Sequence, residues 1–194
     1  MILRKPYRLI RKERYMKEEN NIQHVGSHLG KGSTDFSWYV TGFADGEGCF
    51  CVSFNLRSRF VTGIEVRPSF MVAQNKRSKE VLQEIQAYFG CGGLRFVNSD
   101  QTYKYEVRKI GDLMKKVIPH FEKFPLKTSK RNDFEKFKCI CELVYQSKHL
   151  NTEYLKEIIN LAYEMNASGK RKYTKEELLR NLVRWRYSQI FTET

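Results

Sequence analysis

One stretch constrains this chain more than any other. Trp38-Tyr39-Val40-Thr41-Gly42-Phe43-Ala44-Asp45-Gly46-Glu47-Gly48 reads as a helix that ends in two acids separated by one glycine and runs straight into an alternating strand. Ser33, Thr34 or Asp35 can cap its start by accepting an orphan backbone N–H. Gly46 and Gly48 are placed to stop it, so the helix is expected to end at about Asp45 with carboxylates in its last turn. Gly42 and Gly46 are four residues apart and share one helical face, which has no side chain to hold a second helix away. If that second helix came from an identical subunit, two Glu47 carboxylates would meet on a two-fold axis, where divalent cations can screen their repulsion. One chain then supplies half a site.

The remaining periodicities define the frame around this segment. Phe50, Val52, Phe54 and Leu56 fall on one strand face, and Cys51, Ser53, Asn55 and Arg57 on the other. A second strand follows with Ile64, Val66, Phe70 and Val72 inward and Glu65, Arg67, Ser69 and Met71 outward, which predicts a hairpin. Val81, Leu82, Ile85, Tyr88 and Phe89 have amphipathic helical spacing, with Gly90 as the stop. Strands return at Leu94 to Asn98 and Thr102 to Lys109, and helices are expected from about Asp112, Ser129, Thr152 and Thr174. This αββαββα order predicts an α+β fold, a four-stranded antiparallel sheet backed by helices on one face, with the other face polar and basic. The expected organisation is a basic N-terminal extension over 1–32, a core over 33–150 and a C-terminal helical extension of the same domain over 151–194. No internal repeat and no second acidic segment is found, including in the Tyr163 to Lys170 stretch.

Composition narrows the partner. A 194-residue chain with 41% hydrophobic and 13% aromatic residues can build one sizeable core, and its formal charge of +13 calls for a polyanion. No run approaches a membrane span and no basic helix has a strongly apolar opposite face, so nucleic acid is favoured over a membrane surface. Cys49, Cys51, Cys91, Cys139 and Cys141 contain no Cys-x-x-Cys pair and are expected to be reduced and mostly buried. Cys49 and Cys51 should point to one side of a strand, whereas Cys139 and Cys141 diverge around a helix, which argues against zinc. His24, His28, His120 and His149 have no ligand spacing and receive no catalytic role. The N-terminus lacks the apolar core of a secretory signal, so the expected site of action is intracellular, in an organelle or a prokaryotic cytoplasm. Arg4, Lys5, Arg8, Arg11, Lys12 and Arg14 suit an arm along phosphate or a vestigial leader better than an organelle address.

Val40-Thr41-Gly42-Phe43-Ala44-Asp45-Gly46-Glu47-Gly48 resembles the LAGLIDADG motif of homing endonucleases. Gly42, Asp45 and Gly48 agree with it, Phe43 keeps a large apolar side chain and Glu47 replaces the final Asp with the other carboxylate. Val40 and Thr41 depart from Leu and Ala, and Thr41 is expected to put a hydroxyl near the packed helix interface. The likeness extends in order of elements over about residues 34 to 150, so the core reads as a LAGLIDADG endonuclease core. Because only one motif is present, the resemblance implies a homodimer with Gly42, Asp45 and Gly46 at its interface and Asp45 supporting the helix end.

Phosphodiester hydrolysis needs an activated water, neutralised phosphate charge and a stabilised leaving oxygen, and two divalent ions held by carboxylates meet all three needs. Glu47 is the candidate ligand and catalytic acid, the Gly46 carbonyl can add a neutral oxygen, and water and phosphate fill the rest of a Mg2+ octahedron, with Mn2+ as a substitute. By resemblance, Gln74 matches the strand-end position that orients the attacking water. Lys127, in Pro125-Leu126-Lys127-Thr128-Ser129-Lys130, matches the family's active-site lysine, with Lys130 its close competitor. A further basic position of the family falls at Ser78, between Arg77 and Lys79, and no role is transferred to it.

Strand parity supplies the DNA-reading surface. Ser53, Asn55, Arg57, Arg67, Ser69, Arg95, Lys104 and Arg108 point to the open face, and a two-stranded ribbon fits the major groove, where Arg reads guanine and Asn adenine. The function expected from these readings is a Mg2+-dependent double-strand break in a long pseudo-palindromic target, made by an intron-encoded homodimer that drives intron homing. The alternative is a maturase of the same fold that binds intron RNA and assists group I splicing. A third reading, a basic RNA-binding structural protein, leaves the acids at a close-packing helix end without a purpose.

Overall fold

The computed structural model describes residues 32–166 and 169–182. The chain divides into compact units at 1–35 and 36–194, and of the first only 32–35 are described, as the opening turn of a helix. The predicted basic extension, with Arg4 to Arg14, His24 and His28, lies outside the described residues.

Helix α1 (Gly32–Glu47) passes directly into β1 (Gly48–Leu56), which pairs antiparallel with β2 (Ile64–Asn75). After a short 3-10 turn come α2 (Lys79–Phe89), β3 (Gly93–Val97) and β4 (Thr102–Val107). A helical stretch α3 (110–123), with a π turn at Leu113–Val117, then leads to α4 (Lys130–Tyr145), α5 (Thr152–Tyr163) and α6 (175–182). The sheet order is β1-β2-β4-β3, all antiparallel, so the α+β order read from the periodicities holds.

Local chemistry explains most boundaries. Gly90 takes the left-handed conformation (φ 57°) that ends α2, as its position after the apolar stripe predicts. Asn151 caps α5 by accepting from the Glu153 N–H at 2.8 Å. Thr174 and Glu177 cap each other across the first turn of α6, Thr174 N to Glu177 Oε2 at 2.7 Å and Glu177 N to Thr174 Oγ1 at 3.1 Å.

The predicted end of α1 needs correction: the helix does not stop at Gly46 but carries Gly46 and Glu47 before the strand begins. Gly48 makes the abrupt transition possible, because a Cβ there would stand 2.6 Å from the Ala44 carbonyl oxygen.

The inward strand residues build the core as expected. Phe50 is the hub, with the rings of Phe70, Phe121, Phe134 and Phe137 at 5.2–5.3 Å between centroids. Leu56 departs from the pattern, being 37% exposed at the end of β1. The same core continues into the C-terminal segment through Leu155, Ile158, Ile159, Leu178 and Leu182. All five cysteines are free; Cys141 is buried and the other four are partly covered. The Cys49 and Cys51 sulfurs lie side by side at 2.9 Å, as a shared strand face requires.

Candidate active site at the end of the first helix

The buried face of α1 is formed by Ser37, Val40, Thr41 and Ala44, while Trp38 and Tyr39 are 44% and 47% exposed. Hydroxyls therefore point inward and aromatics outward. Thr41 is not at the exposed glycine face, as its sequence position suggested: it is buried, donates to the Phe124 carbonyl at 2.9 Å and lies 3.1 Å from His120 Nε2. On its other side the ring places Nδ1 2.9 Å from the Tyr88 hydroxyl, which donates to Ser37 Oγ at 2.8 Å. Burial lowers the His120 pKa to about 4, so the ring is neutral. This network fixes the inner side of α1. Beyond Gly42 and Gly46, a Cβ built on either glycine would meet nothing within 4 Å.

At the helix end the two acids separate in role. Asp45 accepts from the backbone N–H of Lys127 (2.8 Å), from that of Thr128 (3.1 Å) and from the Thr128 hydroxyl. Burial, the largest influence, raises its pKa, but these hydrogen bonds together with the Lys130 charge outweigh it and hold the carboxyl below its ordinary value. Asp45 thus ties α1 to the segment that opens α4. Glu47 is exposed, and its carboxylate makes no hydrogen bond or ion pair among the described residues.

Register sets where β2 ends. Gly48 pairs with Val72, so Gln74 lies two residues past the start of β1, where it pairs with Tyr103 of β4. Its side-chain oxygen accepts from the Asn75 N–H at 3.0 Å. The Lys127 backbone is pinned by Asp45, while its exposed side chain has no partner among the described residues. Lys130 reaches inward instead, and its ammonium donates to the Ala44 carbonyl at 2.9 Å and to the Gly46 carbonyl at 3.3 Å. Asp45, the Lys127 backbone and the Lys130 ammonium therefore meet at the end of α1 that carries Glu47.

Two contributors escaped the sequence reading. The Thr128 hydroxyl is one, a side chain overlooked within a segment that had been singled out. Asn166 is the other: its side-chain amide donates to the Phe50 carbonyl at 2.7 Å and its backbone N–H reaches Asp133 at 3.4 Å, so it joins the start of β1 to α4. No local pattern announces a contact spanning 116 residues.

The oxygens here suit a hard cation. The carbonyls at the end of α1 already hold a positive group, the Lys130 ammonium, and the Glu47 carboxylate beside them is unpaired. Among the described residues no three His, Cys, Asp or Glu side chains group to hold a metal, so one chain offers an incomplete ligand set.

The outer sheet face carries the predicted polar set with unequal freedom. Arg57 pairs with Glu65 (3.6 Å), Lys104 with Asp100 (3.5 Å) and Arg108 with Glu106 (2.8 Å), and Asn55 donates to Glu65 at 3.4 Å. Arg67 and Arg95 are exposed and make no ion pair among the described residues. Ser53 is exposed, whereas Ser69 is 9% exposed and nearly covered by its neighbours.

An α+β domain with an acid-tipped helix over one end of a polar, open sheet is the class that fold and site define. The chain belongs to the LAGLIDADG endonuclease family, whose sequence profile matches residues 40–141. A probable intron-encoded endonuclease of Neurospora crassa is 36% identical over 129 residues, which cover 66% of this chain and 28% of that protein. This chain spans about a quarter of the length of the first curated relatives it matches. Among solved structures, the homing endonuclease I-TnaI is 39% identical with a TM-score of 0.67, the match covering 77% of this chain and 97% of that one. The archaeal intron-encoded homing endonuclease I-Vdi141I, solved in complex with DNA, is 29% identical with a TM-score of 0.73, covering 79% and 99%. The fold is therefore the LAGLIDADG fold.

Proposed function

We infer that this protein is a site-specific DNA homing endonuclease, intron-encoded, acting as a homodimer on a long pseudo-palindromic duplex. The observation that carries the reading is the exposed, unpaired Glu47 carboxylate at the end of α1, beside carbonyls that already accept a cation and next to a basic sheet face. Related proteins named as endonucleases, and a neighbour solved with DNA, favour cleavage over the intron-RNA reading. Relatives come from a fungus and an archaeon, which fits an organelle or a prokaryotic cell.

Pairing of two chains is supported by α1 itself. Trp38, Tyr39, Gly42 and Gly46 form an exposed stripe that a second α1 can approach closely. Some solved relatives are matched over nearly their whole chain and others over about half of it, so two copies of this chain correspond to one longer enzyme.

Glu47 and the Gly46 carbonyl would hold divalent cations, Mg2+ or Mn2+, and one related enzyme was studied on uncleaved DNA with calcium. Bound there, such ions supply a lowered water pKa and charge neutralisation at the scissile phosphate. The residues of the chain do the rest. The Gln74 amide orients the attacking water, and the free Lys127 ammonium meets the phosphate charge. On the open face, Arg67, Arg95 and Ser53 are ready to contact DNA, while Arg57, Lys104, Arg108 and Asn55 exchange acidic partners for phosphate or base edges.

The test is cleavage of a randomised palindromic DNA library with Mg2+ by wild type and Glu47→Gln. Cleavage by the wild type alone is expected. Equal cleavage by both would remove Glu47 from the chemistry, and no cleavage by either with tight intron-RNA binding would favour the maturase.

A further inference from the structure

Charges of the wrong sign for their own helix stand at two facing helix ends. The C-terminal end of a helix carries partial negative charge, yet α1 ends on Asp45 and Glu47 and has no basic residue in its last turn. The N-terminal end carries partial positive charge, yet α4 opens with Lys130 and Arg131 ahead of its first-turn acid, Asp133. The mismatch is resolved between the helices: Lys130 places its ammonium on the Ala44 and Gly46 carbonyls of α1. These are among the last carbonyls of α1, which its own helix leaves without donors. Lys127, four residues after the end of α3 at Lys123 and just ahead of α4, makes no side-chain hydrogen bond or ion pair among the described residues, so the two lysines differ in what they hold.

We propose that the Lys130 ammonium is a built-in counter-ion that occupies the cation position at the end of α1 in the DNA-free chain, and that a divalent ion entering at Glu47 and Gly46 displaces it. This rests on the reading of Glu47 and Gly46 as cation ligands. An ammonium 3.3 Å from the Gly46 oxygen repels a divalent ion on that same oxygen, so the two cations cannot both stay. Lys130 is in this sense a positioning residue. It keeps the acid-tipped helix end neutralised while no metal is bound, sets a threshold for metal entry, and once displaced is free to pair with phosphate.

A residue that merely supports the metal site should weaken metal binding when removed, whereas a displaced counter-ion should do the reverse. The experiment is calorimetric titration of Ca2+ into the DNA-free chain, comparing wild type, Lys130→Met, Lys130→Arg and Glu47→Gln. Lys130→Met is expected to bind Ca2+ roughly tenfold tighter than wild type, the size of one lost charged hydrogen bond. Lys130→Arg should stay near wild type, and Glu47→Gln should abolish binding in either background. Without metal, Lys130→Met should melt below wild type, and Ca2+ should restore more of its Tm than it adds to wild type. Unchanged or weaker Ca2+ affinity in Lys130→Met overturns the proposal, as does binding that survives Glu47→Gln. If the Met variant does not fold, Lys130→Gln, which keeps a donor without the charge, repeats the comparison under the same criteria. DNA cleavage does not enter these readings: a chain that cuts no DNA but shows this pattern loses the endonuclease function and keeps the counter-ion, and a cutting chain without the pattern does the opposite.

Discussion

His120 gives the most quantitative check on how α1 is held. Its ring is enclosed by Tyr88, Phe89, Phe121 and Phe124 and contacts Thr41 Oγ1 and the Tyr88 hydroxyl, with no carboxylate among these neighbours to stabilise an imidazolium. Burial alone takes its pKa from 6.5 to about 4. In that window the unfolded chain binds the proton and the folded chain does not, so stability is fully present above 6.5 and falls as the pH drops towards 4. The shift corresponds to about 3 kcal/mol lost across the window, a large part of the stability of an ordinary domain. The perturbation is His120→Gln, which keeps an amide for hydrogen bonding but cannot titrate. At pH 7 the variant should be less stable, since Thr41 and Tyr88 lose well-placed partners. Between pH 7 and pH 4 the advantage of the wild type should then shrink by about 3 kcal/mol, while carboxylates common to both proteins cancel. Urea denaturation at closely spaced pH values measures the difference, and the His120 ring proton resonances report its titration directly. Stability curves that run parallel from pH 7 to pH 4 would refute the reasoning, because they would mean that the ring titrates alike in both states.

Four further outcomes follow from the same geometry. Asp45→Asn should cost about 1–2 kcal/mol at pH 7, since the carboxylate accepts three hydrogen bonds but is partly solvent-screened. With its folded pKa lowered, the Asp45 contribution is present above the ordinary carboxylate value of 3.8 and lost below it, so the deficit should fade in acid thermal melts. Glu47→Gln should leave the DNA-free fold intact and slightly raise its Tm, because an acid is removed from the negative end of α1. Gly42→Leu should convert a dimer to a monomer by sedimentation; a stable dimer would remove the glycine face from the interface. If roughly ten phosphates are neutralised, log affinity for DNA should fall with log salt at a slope of about −9, and Arg67→Ala or Arg95→Ala should each reduce it by about 1 in fluorescence anisotropy.

The strands were legible because burial on one sheet face imposes a period of two, and Phe50, Val52, Phe54, Ile64, Phe70 and Val72 keep it. Helix α2 was legible for the corresponding helical reason, and Gly90 marked its end. The β1-β2-β4-β3 order needed more than local pattern, since Phe70 pairs with Phe50 on one side and Val107 on the other. Thr41 was misplaced because its position in the motif set it near the packed helix interface. Its burial depends on His120, 79 residues away, and on the Phe124 carbonyl, neither of which a window along the chain can supply. Of the two glycines read as helix stops, Gly46 lies inside the helix and Gly48 holds, because β1 leaves α1 there with no room for a side chain. At the site, the acids and the segment around Lys127 could be seen in advance. That Lys130 rather than Lys127 reaches the α1 carbonyls could not, because the choice is made by how Asp45 pins the backbone between them.

The same logic explains why α1 looks poorly designed in isolation. Its buried side contains Ser37 and Thr41, its exposed side contains Trp38 and Tyr39, and its negative end carries two acids. Each departure is unfavourable for a free helix and each has a separate neighbour that offsets it. The hydroxyls are satisfied by Tyr88, His120 and the Phe124 carbonyl; Asp45 is satisfied by the Lys127–Thr128 backbone; the terminal carbonyls are satisfied by Lys130. Trp38 meets the Phe124 ring edge-on and Tyr39 stacks between Phe36 and Phe43, yet both stay exposed, and two departures are left open among the described residues, the outer side of the Trp38–Tyr39–Gly42–Gly46 stripe and the Glu47 carboxylate. A chain that compensates every other mismatch internally and leaves these two open points outward at both. The stripe asks for a second helix and the acid for a cation, and a second copy of α1 brings the two Glu47 carboxylates towards one another, so that meeting the first need creates the second.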